Sequence, residues 1–169
     1  MISNIIIAFL ISLGQAQEFQ ILEIRKSYYA SFKNYKAAED FSGVLNRLNK
    51  SRNPIIIRYK GMSEFIFSYH SYNPYRKLDH FYKGRELLEQ AIQMDAKNTE
   101  LFFLRFSVQT NCPFFLDYSD KIQEDKRRLI IYLLNNKDQD RDLKKRIKNY
   151  LLQSKFLKEK EKKEIQTLK

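Results

Sequence analysis

From Phe19 onward, apolar side chains recur at Ile21, Ile24, Tyr28, Phe32 and Tyr35, three or four positions apart. That spacing lines one face of an α-helix. A second run follows Asp40 with Phe41, Val44, Leu45 and Leu48, and Gly43 inside it marks either a kink or a close approach. One long helix and two shorter ones both satisfy this pattern. Asn53-Pro54 then reads as an N-cap with proline at the first helical position, where its missing N–H costs nothing. The helix it opens, IIIRYKGMSEFIFSYHSY, is apolar on most sides and is expected to lie between neighbours. Asn73-Pro74 repeats the device and starts a helix through Leu78, Phe81, Leu88, Ile92 and Met94. Gly84 in its interior is costly unless a neighbouring element has to come close.

A tight corner follows: Asp95-Ala96-Lys97 turns the chain, and Asn98 caps a new helix from Thr99, with Glu100 complementing its positive end. Gly84, Leu88, Ala91, Ile92 and Ala96 stand at the spacing of a small residue, a large one, an alanine, an apolar residue and a corner position. Here the sequence resembles the junction between tetratricopeptide repeats, with Ala96 in the place of the corner proline. The capping residues Asn53 and Asn98 are 45 positions apart, longer than the tetratricopeptide period of about 34. The resemblance implies an all-α fold, a short right-handed α–α superhelix of two to three irregular helical hairpins. It also implies a concave groove that binds a protein or peptide.

Beyond Val108 the segment QTNCPFFLDYSD interrupts the helical pattern. Phe114, Phe115 and Leu116 are expected to form an apolar plug, and Asp120 with Gln123 to make a capping box for the next helix. Leu129, Ile130, Leu133 and Leu134 give that helix a core face. A further helix from about Asp140 presents Leu143, Ile147, Tyr150 and Leu151 inward, with Lys144, Lys145, Arg146 and Lys148 outward. After Ser154 lysine and glutamate alternate, and Phe156, Leu157, Ile165 and Leu168 can dock weakly or leave a fraying tail.

Composition agrees with helices. The 169 residues include only 4 glycines and 3 prolines, too few for a barrel or sandwich with many turns, and 13 Phe with 11 Tyr. The first residues, MISNIIIAFLISLGQAQ, carry an apolar run of nine from Ile5 to Leu13, short of the about 20 needed to span a bilayer. Gly14 and Ala16 are the small residues a signal peptidase needs, which places cleavage after Ala16. The expected organisation is a signal peptide at 1–16, a helical-repeat domain at 17–152, and a basic, Lys/Glu-rich C-terminal helix or tail at 153–169. The mature part is expected to contain no transmembrane segment. With its leader the chain also resembles small exported bacterial proteins, periplasmic or secreted.

The net charge of +11 is uneven: residues 141–169 hold 11 Lys/Arg against 4 Asp/Glu. A solvated polar face accounts for such a surplus, and unpatterned lysine carries no base-reading geometry, so no specific nucleic acid is expected. The alternative is an anionic lipid or polymer surface bound through Lys144, Lys145, Arg146 and Lys148.

Signs of catalysis are sparse. Glycine-rich phosphate loops, HExxH, CxxC and G-x-S-x-G are absent from the sequence. His70 and His80 are separated by a proline turn, and neither a metal nor a cofactor is expected. An acidic partner of either histidine inside a deep pocket would support a hydrolase or transferase instead. Asp117, Asp120, Glu124 and Asp125 read as exposed acids at a helix start. Cys112, the single cysteine, is expected to be a buried inert thiol without a disulfide partner in the chain. Tyr69, Tyr72, Tyr75 and Tyr82 bracket the Asn73-Pro74 turn, where they serve either the core or a protein-binding surface. The reading is a non-enzymatic exported scaffold for a protein or peptide partner.

Overall fold

The computed structural model describes residues 20–48, 53–135 and 140–168. The signal peptide expected at 1–16 lies outside them. The fold is all-α: among the described residues the regular structure is entirely helical. The described residues fall into two compact units that divide between Arg85 and Glu86.

In the first unit, α1 covers residues 20–30 and α2 covers Tyr35–Arg47. The two helices are separated by the turn at 31–34, so the break comes earlier than Asp40. Asn34, in extended backbone, accepts the Ala37 N–H at 2.8 Å and starts α2. This break removes Phe32 and Tyr35 from the apolar stripe expected to run through them. Ile24 and Tyr28 are buried, whereas Phe32 and Tyr35 are exposed. Gly43 has no close neighbour, so no approach demands it.

Helix α3, Pro54–His70, begins at Asn53, whose side chain accepts the Ile55 N–H at 2.9 Å. It is packed on two sides. Tyr59 meets Phe41 of α2 and Tyr28 of α1 at ring separations of 6.2 and 5.7 Å, while Phe65 meets Phe81 of α4, Pro74–Met94, at 5.5 Å. Gly84 is explained here. A Cβ on it would stand 2.9 Å from the Gly61 carbonyl oxygen and 3.1 Å from the Phe65 ring, so the α3–α4 crossing requires glycine.

The second unit begins within α4. After the turn at 95–98, Asn98 accepts the Glu100 N–H at 3.1 Å and opens α5, Thr99–Asn111, at the predicted corner. Leu88 and Ala91 are buried there, and Ala96 is exposed. A 3-10 turn, Phe114–Leu116, leads to α6, Ile122–Leu134; α7 is Arg141–Gln153 and α8 is Glu159–Gln166. Phe102, Phe103 and Phe106 of α5 pack with Leu129 and Leu133 of α6 and with Leu143, Ile147 and Leu151 of α7. Leu157 and Ile165 complete the same core, so α8 is docked rather than frayed.

Several local expectations fail for physical reasons. Only Leu116 of the anticipated plug is buried; Phe114 and Phe115 point to solvent at 95% and 77% exposure. A 3-10 turn ending at Asp117, with φ 44° and ψ 53°, turns both rings outward. The α6 N-cap is Lys121, without a side-chain capping bond. Asp120 instead accepts from the Gln109 amide at 3.4 Å. Asp125 is fully buried, not an exposed acid. Leu134 is exposed, and Cys112 is only half-buried.

Candidate docking surface

The turn after α1 and the turn after α3 share one end of the first unit. His70 Nε2 lies 2.9 Å from the Ser31 carbonyl oxygen, joining the end of α3 to the first turn. Ser68 Oγ donates to the Lys77 carbonyl at 2.9 Å, which holds the start of α4 against α3. Asn73 accepts the N–H groups of Tyr75 and Arg76 at 2.9 and 3.2 Å, as Asn34 does for α2. Each turn is therefore fixed by its own asparagine and tied to its neighbour.

This construction leaves aromatic rings outside. Tyr72 is fully exposed and Tyr75 is 82% exposed, with Tyr69 also open to solvent. Phe32 meets Tyr69 at 5.9 Å with ring planes at 67°, and Tyr28 joins Phe32 at 5.4 Å and 73°. Tyr29 and Tyr35 are exposed at the same end, Tyr35 resting on Phe67 at 5.6 Å. Tyr82 is exposed too, seven residues beyond Tyr75 on the same helix face, hence about 10 Å along it. None of the four predicted tyrosines is in the core. The helical period at residues 21–35 hid Tyr29, Phe32 and Tyr35 from the candidate set. The signal that would have exposed them is the likeness of FKNYK to YNPYRK, each an aromatic before a capping asparagine and a tyrosine after it.

The basic candidates behave differently. Lys144 donates to the Asn135 carbonyl at 2.6 Å and stands over the Tyr132 ring at 5.7 Å. Arg146 pairs with Asp142 at 2.8 Å, and Lys148 donates to the Leu168 carbonyl. Lys145 is exposed. Three of the four are thus engaged within their own unit.

Two other constellations carry polar chemistry. His80 Nδ1 lies 2.6 Å from Glu64 Oε2, each side chain about a quarter exposed, and the pair links α4 to α3. The acidic partner that an enzymatic reading required is present, on a half-buried helix contact. In the second unit Arg105 donates through Nε and Nη2 to Asp125 at 2.7 and 2.8 Å, and through Nη1 to Glu89 at 3.0 Å. Tyr118 donates to Glu89 at 2.6 Å. Burial works against the Arg105 charge, but the bonds and charges of Asp125 and Glu89 outweigh it and hold the guanidinium above its ordinary value. This network joins the end of α4, α5, the segment after the 3-10 turn and α6.

A cleft of about 380 Å³ lies between the C-terminal ends of α5 and α7. Its wall includes Tyr150, whose hydroxyl meets Thr110 Oγ1 and Asn111 Nδ2 at 2.7 Å each and the Ser107 carbonyl at 3.2 Å. These groups satisfy one another and brace α7 on α5. Among the described residues, no cluster of three His, Cys, Asp or Glu is placed to hold a metal ion, and no helix is long and apolar enough to cross a membrane.

No family model, curated protein or solved structure matches this chain.

Proposed function

We propose that the chain is a non-enzymatic, exported helical scaffold that docks a protein or peptide partner through the aromatic end of its first unit. The observation that carries this reading is the exposure of Tyr69, Tyr72 and Tyr75 on a turn braced at both sides. Three tyrosine rings left in water keep apolar area exposed that a partner would cover favourably, and tyrosine contributes large contact area at small entropic cost. The corner at 95–98 supports a tetratricopeptide-like superhelix of irregular hairpins as the scaffold. The alternative surface at Lys144, Lys145, Arg146 and Lys148 has less support, because three of these cations already have partners within the unit.

The test is a pull-down from envelope extract with the tagged full chain, washed at about 0.15 M and then about 0.5 M salt, where screening is much stronger. A defined protein that survives the second wash, and is lost with Tyr72→Ser/Tyr75→Ser, supports the reading. Capture that vanishes at high salt and is insensitive to those changes transfers the function to the basic C-terminal region.

A further inference from the structure

We infer that the partner surface fitted to this end is acidic: a protein segment presenting carboxylates among apolar side chains. The inference rests on the docking reading above and assigns the chemistry of its partner. Segments 28–36 and 69–78 together contain seven aromatic residues, four Lys/Arg and no Asp or Glu. Lys33, Lys36, Arg76 and Lys77 are all exposed beside the rings, Lys36 pairing with Asp40 one turn further along α2 at 3.0 Å. The first turns of α2 and α4 hold no acid, although carboxylates are favoured there by the helix dipole. Their positive ends therefore add to the side-chain charges of Lys33, Arg76 and Lys77. The end is rich in donors and poor in anionic acceptors, and a carboxylate-bearing surface is its complement.

The rings discriminate among anionic partners. Five of the six exposed ones, Tyr29, Tyr35, Tyr69, Tyr72 and Tyr75 beside Phe32, end in a hydroxyl. A phenol removed from water needs a hydrogen-bond partner, which the carboxylates and carbonyls of a protein segment supply. Single-stranded nucleic acid takes a series of open ring faces. Here Phe32–Tyr69, Tyr28–Phe32 and Tyr69–His70 are edge-to-face at 67°, 73° and 73°, so Phe32 and Tyr69 stand against other rings and do not form a row of open faces with Tyr72 and Tyr75.

The probe is a fluorescein-labelled peptide of repeating Asp-Glu-Phe-Leu, with its Asn-Gln-Phe-Leu counterpart, titrated by anisotropy against the full chain at about 0.15 M salt. The acidic peptide is expected to bind and the neutral one to bind at least about tenfold more weakly. Tyr72→Ser/Tyr75→Ser is expected to weaken the acidic peptide by about tenfold. Arg76→Glu/Lys77→Glu should weaken it at least as much, while Lys145→Glu/Lys160→Glu, the same charge change on the second unit, stays within about twofold. Equal effects of the two charge reversals, or equal binding of the neutral peptide, overturn the inference. So does Tyr72- and Tyr75-dependent binding of phosphatidylglycerol vesicles or an oligothymidylate in the absence of peptide binding. If a captured protein depends on the two tyrosines while the acidic peptide is ignored, docking stands and the acidic assignment falls. If neither depends on them, both fall.

Discussion

Arg105 holds Asp125 with two parallel hydrogen bonds, Nε to Oδ2 at 2.7 Å and Nη2 to Oδ1 at 2.8 Å, with Asp125 wholly buried and Arg105 nearly so. The pair fastens α5 to α6, and Glu89 and Tyr118 extend it to the end of α4. Its two-point geometry fixes one register between the two helices. Asp125→Ala leaves a buried guanidinium with one partner and is expected to cost about 3–5 kcal/mol in urea unfolding. Arg105→Met/Asp125→Leu removes both charges and is expected to recover most of that loss. A double variant no more stable than Asp125→Ala would mean that the pair contributes packing rather than charge compensation.

Glycines 84 and 43 should respond oppositely to alanine. At Gly84 the new methyl meets the Gly61 carbonyl oxygen at 2.9 Å, and backbone cannot step aside cheaply. The gain in helix propensity, about 1 kcal/mol, is outweighed by an overpacking cost of about 1–3 kcal/mol, and α3–α4 protection falls. At Gly43 nothing lies within 4 Å, so alanine should stabilise by about 0.5–1 kcal/mol. Hydrogen exchange across both helices and melting of the two variants check the pair together.

Helix α8 should be acid-sensitive. Burial works against the Glu161 carboxylate, but the Lys158 N–H at 2.7 Å and Lys126 Nζ at 3.0 Å more than offset it and hold the carboxyl below its ordinary range. A depressed folded value stabilises the docked state above the unfolded value, about 4.3, and that contribution is lost as pH falls through the folded value. Amide protection over 157–168 is therefore expected to be constant from about pH 5 to 8 and to fall below about pH 4. Glu161→Gln should remove this step and leave α8 less protected at neutral pH.

The C-terminal helix belongs to the core of its unit. Ile165 is completely buried, with Leu157 nearly so. Ile165→Ala is expected to cost about 2–5 kcal/mol, measured by denaturant unfolding followed through the second unit. Removal of residues 154–169 uncovers the core residues against which they pack, and the truncated chain should be markedly less soluble than the full chain.

Tyr72→Ser and Tyr75→Ser, singly or together, should change stability by less than about 0.5 kcal/mol per site, since both rings stand in solvent. Unchanged melting would assign any lost binding to the surface itself. A loss of several degrees would show that the rings support the turn.

The helical character of this chain was legible in its sequence. So were the starts of α3 and α5 and the tight corner after α4. These are local decisions: Asn53 and Asn98 reach N–H groups two residues away, and the few glycines leave little besides helix to form. The apolar period also identified Leu129, Leu133, Leu143, Ile147 and Leu151 as core, because one face of each helix has to be covered. Gly84 announced a close approach without saying to what.

Tertiary structure decided the rest. Tyr28 is buried because Phe41 of α2 and Tyr59 of α3 stand against it, whereas Phe32 and Tyr35, in the same apolar period, remain exposed. Asp125 is one acid among four in the sequence, and its burial depends on Arg105 arriving from a helix 20 residues away. The basic stretch at 144–148 looks free until Asn135 and Leu168 are brought to Lys144 and Lys148. Exposure, pairing and the joining of two turns into one aromatic end arise between segments distant along the chain. Sequence by itself determined where helices form; which side chains remain outside to meet a partner was set by helix packing, because burial is a property of neighbours.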